Sequence, residues 1–315
     1  MHNPTINELL NVKYPIIMAP MFLVTNTKMM IEALNSKIAA CIPALNFRTD
    51  QELRKAIQEI RRNTKSTGLG VNLIVNKSNI KLQKQLKTCI ELKVDFIITS
   101  LGNPKQVIKL CKSNAIKVFC DVIDENYAKK VEKLGADAIV AVNKDAGGHA
   151  GNMNSKELIS RIKAICSIPI ISAGGVGTKA GVKEKINEGY SGLSIGSPFI
   201  ACSEAEISSE YKKACVYYGK HDIVFTTKIS GTPCTVINTP YVQKIGTTQN
   251  WLEKIISRNK NIKRWLKMII YFKGMKSIEK AAFSSTYKTV WCAGPSIEHT
   301  KEILPLKEII KRFTI

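Results

Sequence analysis

What confines this chain most tightly is a recurrence. Eight times a short apolar run gives way to a polar or glycine-bearing stretch, and most of those stretches then enter a segment of helical period. The runs cover 14–21, 37–44, 68–75, 95–100, 116–121, 138–142, 168–173 and 192–196. Each is short, rich in Ile, Val and Ala, and bounded by Gly, Pro or polar residues, the pattern of a buried strand rather than a helix. The intervening segments carry their own start signals. Thr25 or Asn26 stands in place to cap the helix after the first run, and Thr49-Asp50-Gln51-Glu52 forms a capping box ahead of Leu53 to Ile60. Eight strand–helix units are the number that closes a parallel barrel. The predicted fold is therefore α/β, a (β/α)8 TIM barrel over residues 1–205, followed by a mostly helical extension over 206–315 that packs on or near the barrel mouth.

A doubly wound open sheet is the rival architecture. Its support is Gly175-Val176-Gly177-Thr178-Lys179-Ala180, which fits a G-x-G-x-x-A dinucleotide fingerprint. That fingerprint belongs at the first repeat, with an acid closing the next strand. Here it falls at the seventh, and the following strand ends Ser194-Ile195-Gly196-Ser197. In a barrel the same glycines take another meaning, because the loops after strands seven and eight gather backbone N–H groups around phosphate. Ser172-Ala173-Gly174-Gly175 and Gly196-Ser197 occupy those two places.

The sixth run leads into Asp145-Ala146-Gly147-Gly148-His149-Ala150-Gly151, which sets one of only four histidines among small residues. Glycines allow positive φ and let backbone approach a ligand, and imidazole titrates nearest to neutrality. His149 is thus the candidate catalytic residue, against the plainer reading of a turn with a surface histidine. His221 and His299 lack a neighbouring Cys, Asp or Glu pattern and read as packing or surface residues.

The net charge of +22 admits nucleic acid, anionic membrane or an acidic protein as partner. The lysines, however, are spread along nearly every helical segment and alternate with Asn and Ile instead of gathering with aromatics. They read as a solvated surface and not as a nucleic-acid platform. The nine cysteines are scattered singly with no C-x-x-C and no zinc spacing, so no metal is expected and the thiols read as buried hydrophobes in a reducing cytosol. No apolar run reaches membrane-spanning length and the start lacks a leader pattern, which predicts a soluble, cytoplasmic chain with no membrane span. Between Trp251 and Ala282 a face of Trp251, Ile255, Ile262, Leu266 and Ile269 opposes a Lys/Arg face. It reads as a helix packed on its own protein rather than one lying on a membrane. The stretch from Tyr287 to Pro295 reads as a loop folding back over the mouth.

Taken in order, Met18-Ala19-Pro20-Met21, Gly70-Val71-Asn72, Ala146-Gly147-Gly148-His149-Ala150-Gly151, Ser172-Ala173-Gly174-Gly175 and Ile195-Gly196-Ser197 resemble the nitronate monooxygenases, formerly 2-nitropropane dioxygenases. The resemblance covers residues 10 to 205, about one barrel in length. It implies a TIM barrel holding FMN without a covalent bond. The backbone of Ala19, Pro20 and Met21 would flank the isoalloxazine ring, and Asn72 would hydrogen-bond to it. Gly147 and Gly148 would pass beside it, and Gly174, Gly175, Gly196 and Ser197 would hold the phosphate, with Ser172 and Ile195 also among the cofactor-binding residues. His149 would orient an anionic nitronate or take the α-proton of a neutral nitroalkane. FMN and O2 would then complete an oxidation to a carbonyl compound and nitrite.

Asp121 and Val142 stand where the family often has Gln or Lys. An acid disfavours the anionic reduced ring, so Asp121 is expected to stay out of direct contact with it. The AGGH loop is also similar to that of the FMN-dependent enoyl-acyl-carrier-protein reductases, which would use NADH and an acidic carrier protein suited to a basic surface. Against that alternative, those reductases usually carry two glycines before the first-strand methionine, where this chain has Ala19-Pro20-Met21. A third reading is a non-catalytic basic binding protein that uses the barrel as scaffold. A homo-oligomer is compatible with all three.

Overall fold

The eight apolar runs become eight parallel strands: β1 (Ile16–Met18), β2 (Ala39–Pro43), β3 (Leu69–Ile74), β4 (Phe96–Ser100), β5 (Lys117–Val122), β6 (Ala138–Val142) and, past a two-residue β7 (Gly148–His149) outside the barrel, β8 (Ile170–Ala173) and β9 (Gly192–Ile195). This computed structural model describes residues 4–228, 233–248 and 290–314. Each barrel strand pairs with the next and β9 returns to β1, with Ile17 opposite Ser194, so the sheet has no open edge. Closure removes the doubly wound rival.

Strand parity sorts the side chains into two apolar layers. Ile17, Cys41, Phe96, Phe119, Val140 and Ile171 fill the barrel, while alternate residues such as Ile16, Val71, Val118 and Ile170 face the helices. Gly70 belongs to the inner set. A Cβ there would lie 2.3 Å from Phe96 Cζ, so its bare backbone makes room for a ring that stacks on Phe119 with centroids 5.1 Å apart. The bottom of the barrel is closed by a short helix that the sequence reading did not anticipate, α1 (Ile6–Leu10). Ile6 and Leu10 join the inner layer, and Ile6 N–H donates to Ser191 O at 2.9 Å.

The helix signals act as their residue types dictate. Asn26 rather than Thr25 caps α2 (Thr27–Asn35), its Oδ1 accepting from Met29 N–H at 2.9 Å. Thr49 and Glu52 form the capping box of α3 (Asp50–Asn63), which buries Leu53, Ala56, Ile57 and Ile60 on one stripe. Leu53, Ile57 and Ile60, each taken fully from water, contribute about 1.5–3 kcal/mol apiece.

Beyond residue 205 the described residues hold the helices Ser209–Tyr217, Pro240–Ile245 and Leu306–Lys311 and two strands, β10 (Ile223–Thr226) and β11 (Cys234–Ile237). These form a three-stranded antiparallel sheet whose third member is β7, so the extension is joined by backbone pairing to the histidine loop. The amphipathic segment from Trp251 to Ala282 lies outside the described residues, as do positions 229–232 and 283–289.

Candidate active site

The C-terminal ends of the strands enclose a cavity of about 720 Å³, within the range of small-molecule sites. Of the residues singled out from sequence, Ala19, Pro20, Met21, Asn72, Gly147, Gly148, His149, Gly174, Gly175, Ile195, Gly196 and Ser197 all line it. Ser172 does not. It shares the parity of Ile170, so it turns outward into the layer under the helices and is fully buried there. Its neighbours in sequence suggested the cavity, and the strand's two-residue period puts it on the other face.

The histidine loop is organised by Asn143, fully buried directly after β6. Its Oδ1 accepts from Asp145 N–H at 2.8 Å and its Nδ2 donates to Gly174 O at 3.2 Å. Its carbonyl accepts from the N–H groups of Ala146 and Gly151, both at 3.2 Å, while Gly175 N–H donates to Asp145 O at 3.1 Å. The loops after β6 and β8 are therefore one hydrogen-bonded unit. This packing explains Gly174, at φ +115°: an added Cβ would stand 2.4 Å from Asn143 Oδ1 and 2.5 Å from Ala146 N. The sequence reading passed over Asn143, whose only signal was a polar residue between an apolar run and a glycine loop.

From the other side, β11 holds the loop in register with Cys234 opposite His149, and Thr235 Oγ1 donates to Ala146 O at 2.6 Å. His149 is thus fixed at its backbone and presents its ring at the cavity wall. Desolvation of the ring lowers its pKa from the usual 6.5, although the residue as a whole stays exposed at the mouth, which favours the neutral imidazole, a proton acceptor.

A polar chain runs along another part of the lining. Asn72 Nδ2 donates to Ser100 Oγ at 2.7 Å and to Ile98 O at 3.1 Å, and Ser100 Oγ donates to Asp121 Oδ2 at 2.5 Å. Burial raises the Asp121 carboxyl to about 6, against the opposing pull of the Ser100 hydrogen bond. Asp121, which sequence reasoning set apart from the cofactor, lines the same cavity as His149. Its weakened acidity eases the conflict between an acid and an electron-rich ring.

The lining fits a flavin mononucleotide. Among the described residues the N–H groups of Gly174, Gly196 and Ser197 donate to no other group, which leaves donors for a phosphate at the ends of β8 and β9. Ser197 Oγ accepts from Gly294 N–H at 2.8 Å and keeps its own proton to give. No Lys or Arg stands among the described lining residues, so an anion there meets dipoles rather than a fixed cation. Asn72, with its amide protons engaged, offers Oδ1 as an acceptor. The first-strand turn contributes surface and not donors. Ala19 N–H goes to Ile195 O at 2.8 Å, Met21 N–H goes to Thr25 Oγ1 at 3.0 Å, and Pro20 has none.

A closed barrel with its chemistry gathered on the loops at the strands' C-terminal ends is the frame of a small-molecule enzyme. The family model for nitronate monooxygenase matches residues 77–315. The chain is 26% identical to a Staphylococcus aureus (strain Newman) protein described as a probable nitronate monooxygenase, over 76% of this chain and 79% of that one. It is 24% identical to a Rhodococcus jostii (3aS,4S,5R,7aS)-5-hydroxy-7a-methyl-1-oxo-octahydro-1H-indene-4-carboxyl-CoA dehydrogenase, over 78% of this chain and 68% of the other. Among solved structures it resembles FabK from Thermotoga maritima, with a TM-score of 0.84, 26% identity and coverage of 99% and 95% of the two chains. A nitroalkane oxidase from Streptomyces ansochromogenes gives a TM-score of 0.78 at 16% identity, covering 98% and 96%, a likeness of fold alone. The chain belongs to the nitronate monooxygenase family and is a flavin-dependent oxidoreductase. Membership sets aside the non-catalytic scaffold. Among the described residues no helix is long and apolar enough to cross a membrane.

Proposed function

We propose that the protein uses FMN and O2 to oxidise alkyl nitronates, and the neutral nitroalkanes that yield them on losing an α-proton, to carbonyl compounds and nitrite. The observation that carries this reading is His149 on the wall of a cavity that also holds unengaged N–H donors for a phosphate. Bound FMN supplies the one-electron acceptor through which the nitronate is oxidised by O2. The N–H groups of Gly174, Gly196 and Ser197 and the Ser197 hydroxyl bind its phosphate. Ala19, Pro20 and Met21 give its ring a surface, and Asn72 Oδ1 accepts a hydrogen bond from it. His149 takes the α-proton of a neutral nitroalkane and, once protonated, holds the nitronate oxygens by charge. Apolar Ile98, Val140 and Ile195 limit water around that proton transfer.

Enoyl-thioester reduction by NADH, with an acidic carrier protein as partner, is the second reading. The likeness to FabK at a TM-score of 0.84 favours it, and the +22 charge suits such a carrier. One FMN-loaded preparation decides between them. Aerobic nitrite formation from small nitroalkanes with no bleaching by anaerobic NADH supports the monooxygenase, and rapid bleaching with crotonyl-thioester turnover supports the reductase. In the first case His149→Ala should keep FMN yet lose turnover of neutral nitroalkanes by about 100-fold or more, with preformed nitronates affected less. Equal losses on both substrates would remove His149 from the proton step.

A further inference from the structure

Two sulfurs on the cavity wall stand outside the chemistry assigned to His149. Cys234 and Cys292 both line the cavity, and their Sγ atoms are 3.8 Å apart. They come from separate stretches held in fixed register. Cys234 opens β11 opposite His149, and Cys292 bridges Val236, two residues further along the same strand. The two side chains are therefore diagonal neighbours on one face of the small sheet.

Neither is carried on a loose segment. Ile237 N–H donates to Trp291 O at 2.9 Å, Tyr211 Oη donates to Cys292 O at 2.6 Å, and the Tyr211 ring stacks on Trp291 with centroids 5.7 Å apart. All nine cysteines are free thiols, and among them this is the one pair in sulfur–sulfur contact.

We propose that Cys234 and Cys292 form a redox-active dithiol, which a hydroperoxide entering the cavity converts into an intramolecular disulfide. The site is defined by its own geometry and holds whichever reaction the flavin cavity performs. Cys292, half-buried where Cys234 is fully buried, is the thiol open to an entering peroxide and the attacking one. The two thiols share a hydrogen bond in which either can be the donor, and burial pushes the Cys234 pKa up. In the first step the Cys292 sulfur bonds to one peroxide oxygen, the O–O bond breaks, and the other oxygen leaves as water or alcohol, giving a sulfenic acid. In the second, the Cys234 sulfur displaces the sulfenic oxygen, which leaves as water with the Cys234 proton. Two thiols lose two electrons and the peroxide gains them.

The sulfurs must close by about 1.8 Å to reach bonding distance, within the reach of side-chain rotation. The bond would tie β11, and through it His149, to the segment whose Gly294 N–H holds Ser197 Oγ.

The test uses the full-length protein, reduced, freed of reductant, exposed to a slight excess of hydrogen peroxide, then denatured and alkylated with N-ethylmaleimide for mass spectrometry. The expected result is loss of two of the nine alkylatable thiols, one cross-linked peptide pair joining Cys234 to Cys292, and recovery of all nine on adding dithiothreitol. Cys234→Ser should abolish the cross-link and let Cys292 proceed to sulfinic acid. Cys292→Ser should slow peroxide consumption by about ten-fold or more. Nine alkylated thiols after peroxide, or a cross-link between any other pair, overturns the proposal. The wild-type measurement alone decides, so a poorly folded variant leaves the outcome intact.

Discussion

Asp121 is a cavity carboxyl whose charge is resisted by its surroundings, and replacing it by Asn isolates that effect. The amide oxygen of Asp121→Asn still accepts from Ser100 Oγ, so the chain from Asn72 through Ser100 is preserved. A carboxyl raised from 3.8 to about 6 prefers its neutral form by ~3 kcal/mol when nothing screens it. The partial exposure of the carboxyl reduces this to ~1–2 kcal/mol. The sign follows from proton binding. Between these two pH values the folded state holds the proton that the unfolded state has released, so Asp121's contribution to stability is full below pH 3.8 and is lost as pH rises through about 6. Asp121→Asn has no such loss. Urea denaturation near pH 3.5 and near pH 8, with FMN at the same excess throughout, should show the variant gaining ~1–2 kcal/mol on the wild type at the higher pH and little at the lower. Parallel stability curves for the two proteins would refute a buried, charge-resisting Asp121.

Gly175→Val places a β-branched side chain at φ +80°, with its Cβ 3.2 Å from Asp145 Cβ. It should weaken FMN retention by about ten-fold or more, read as flavin absorbance after gel filtration, and normal retention would contradict the role of that loop. Thr235→Val removes the donor to Ala146 O and leaves a buried carbonyl unsatisfied. It should cost about 1–3 kcal/mol in denaturant and lower kcat more than it raises KM, and unchanged kinetics would show that the histidine loop needs no staple. Gly70→Ala drives a methyl into Phe96 and should cost about 1–3 kcal/mol or more. A thermal midpoint equal to that of the wild type would mean that the barrel interior is looser than its packing indicates.

The barrel was legible because every strand announces itself locally: an apolar run such as Ala138 to Val142 needs no knowledge of its partners to be recognised. The glycine loops were legible because their places in the repeat are fixed by strand count. What the sequence hid depends on contacts between distant residues. Ser172 shows that a motif marks a stretch while strand parity decides which of its members face the ligand. Asn143 binds two loops together through partners as far along the chain as Gly174. Ile223-Val224-Phe225-Thr226 and Cys234-Thr235-Val236-Ile237 carry β-branched signals, but runs of four residues are too short to separate from helix by period. Their pairing with Gly148-His149 could not be read from either segment alone.

The pairing of β11 with β7 also sets an order in time. The last barrel strand ends at Ile195, and Cys234 follows about 40 residues later. At roughly 5–20 residues per second the ribosome takes about 2–8 s to cross that interval. A barrel that closes in the meantime has its phosphate donors in place but no strand against which His149 can be held. On the proposed function, a molecule whose barrel closes within that interval would be able to bind its cofactor before it is able to catalyse.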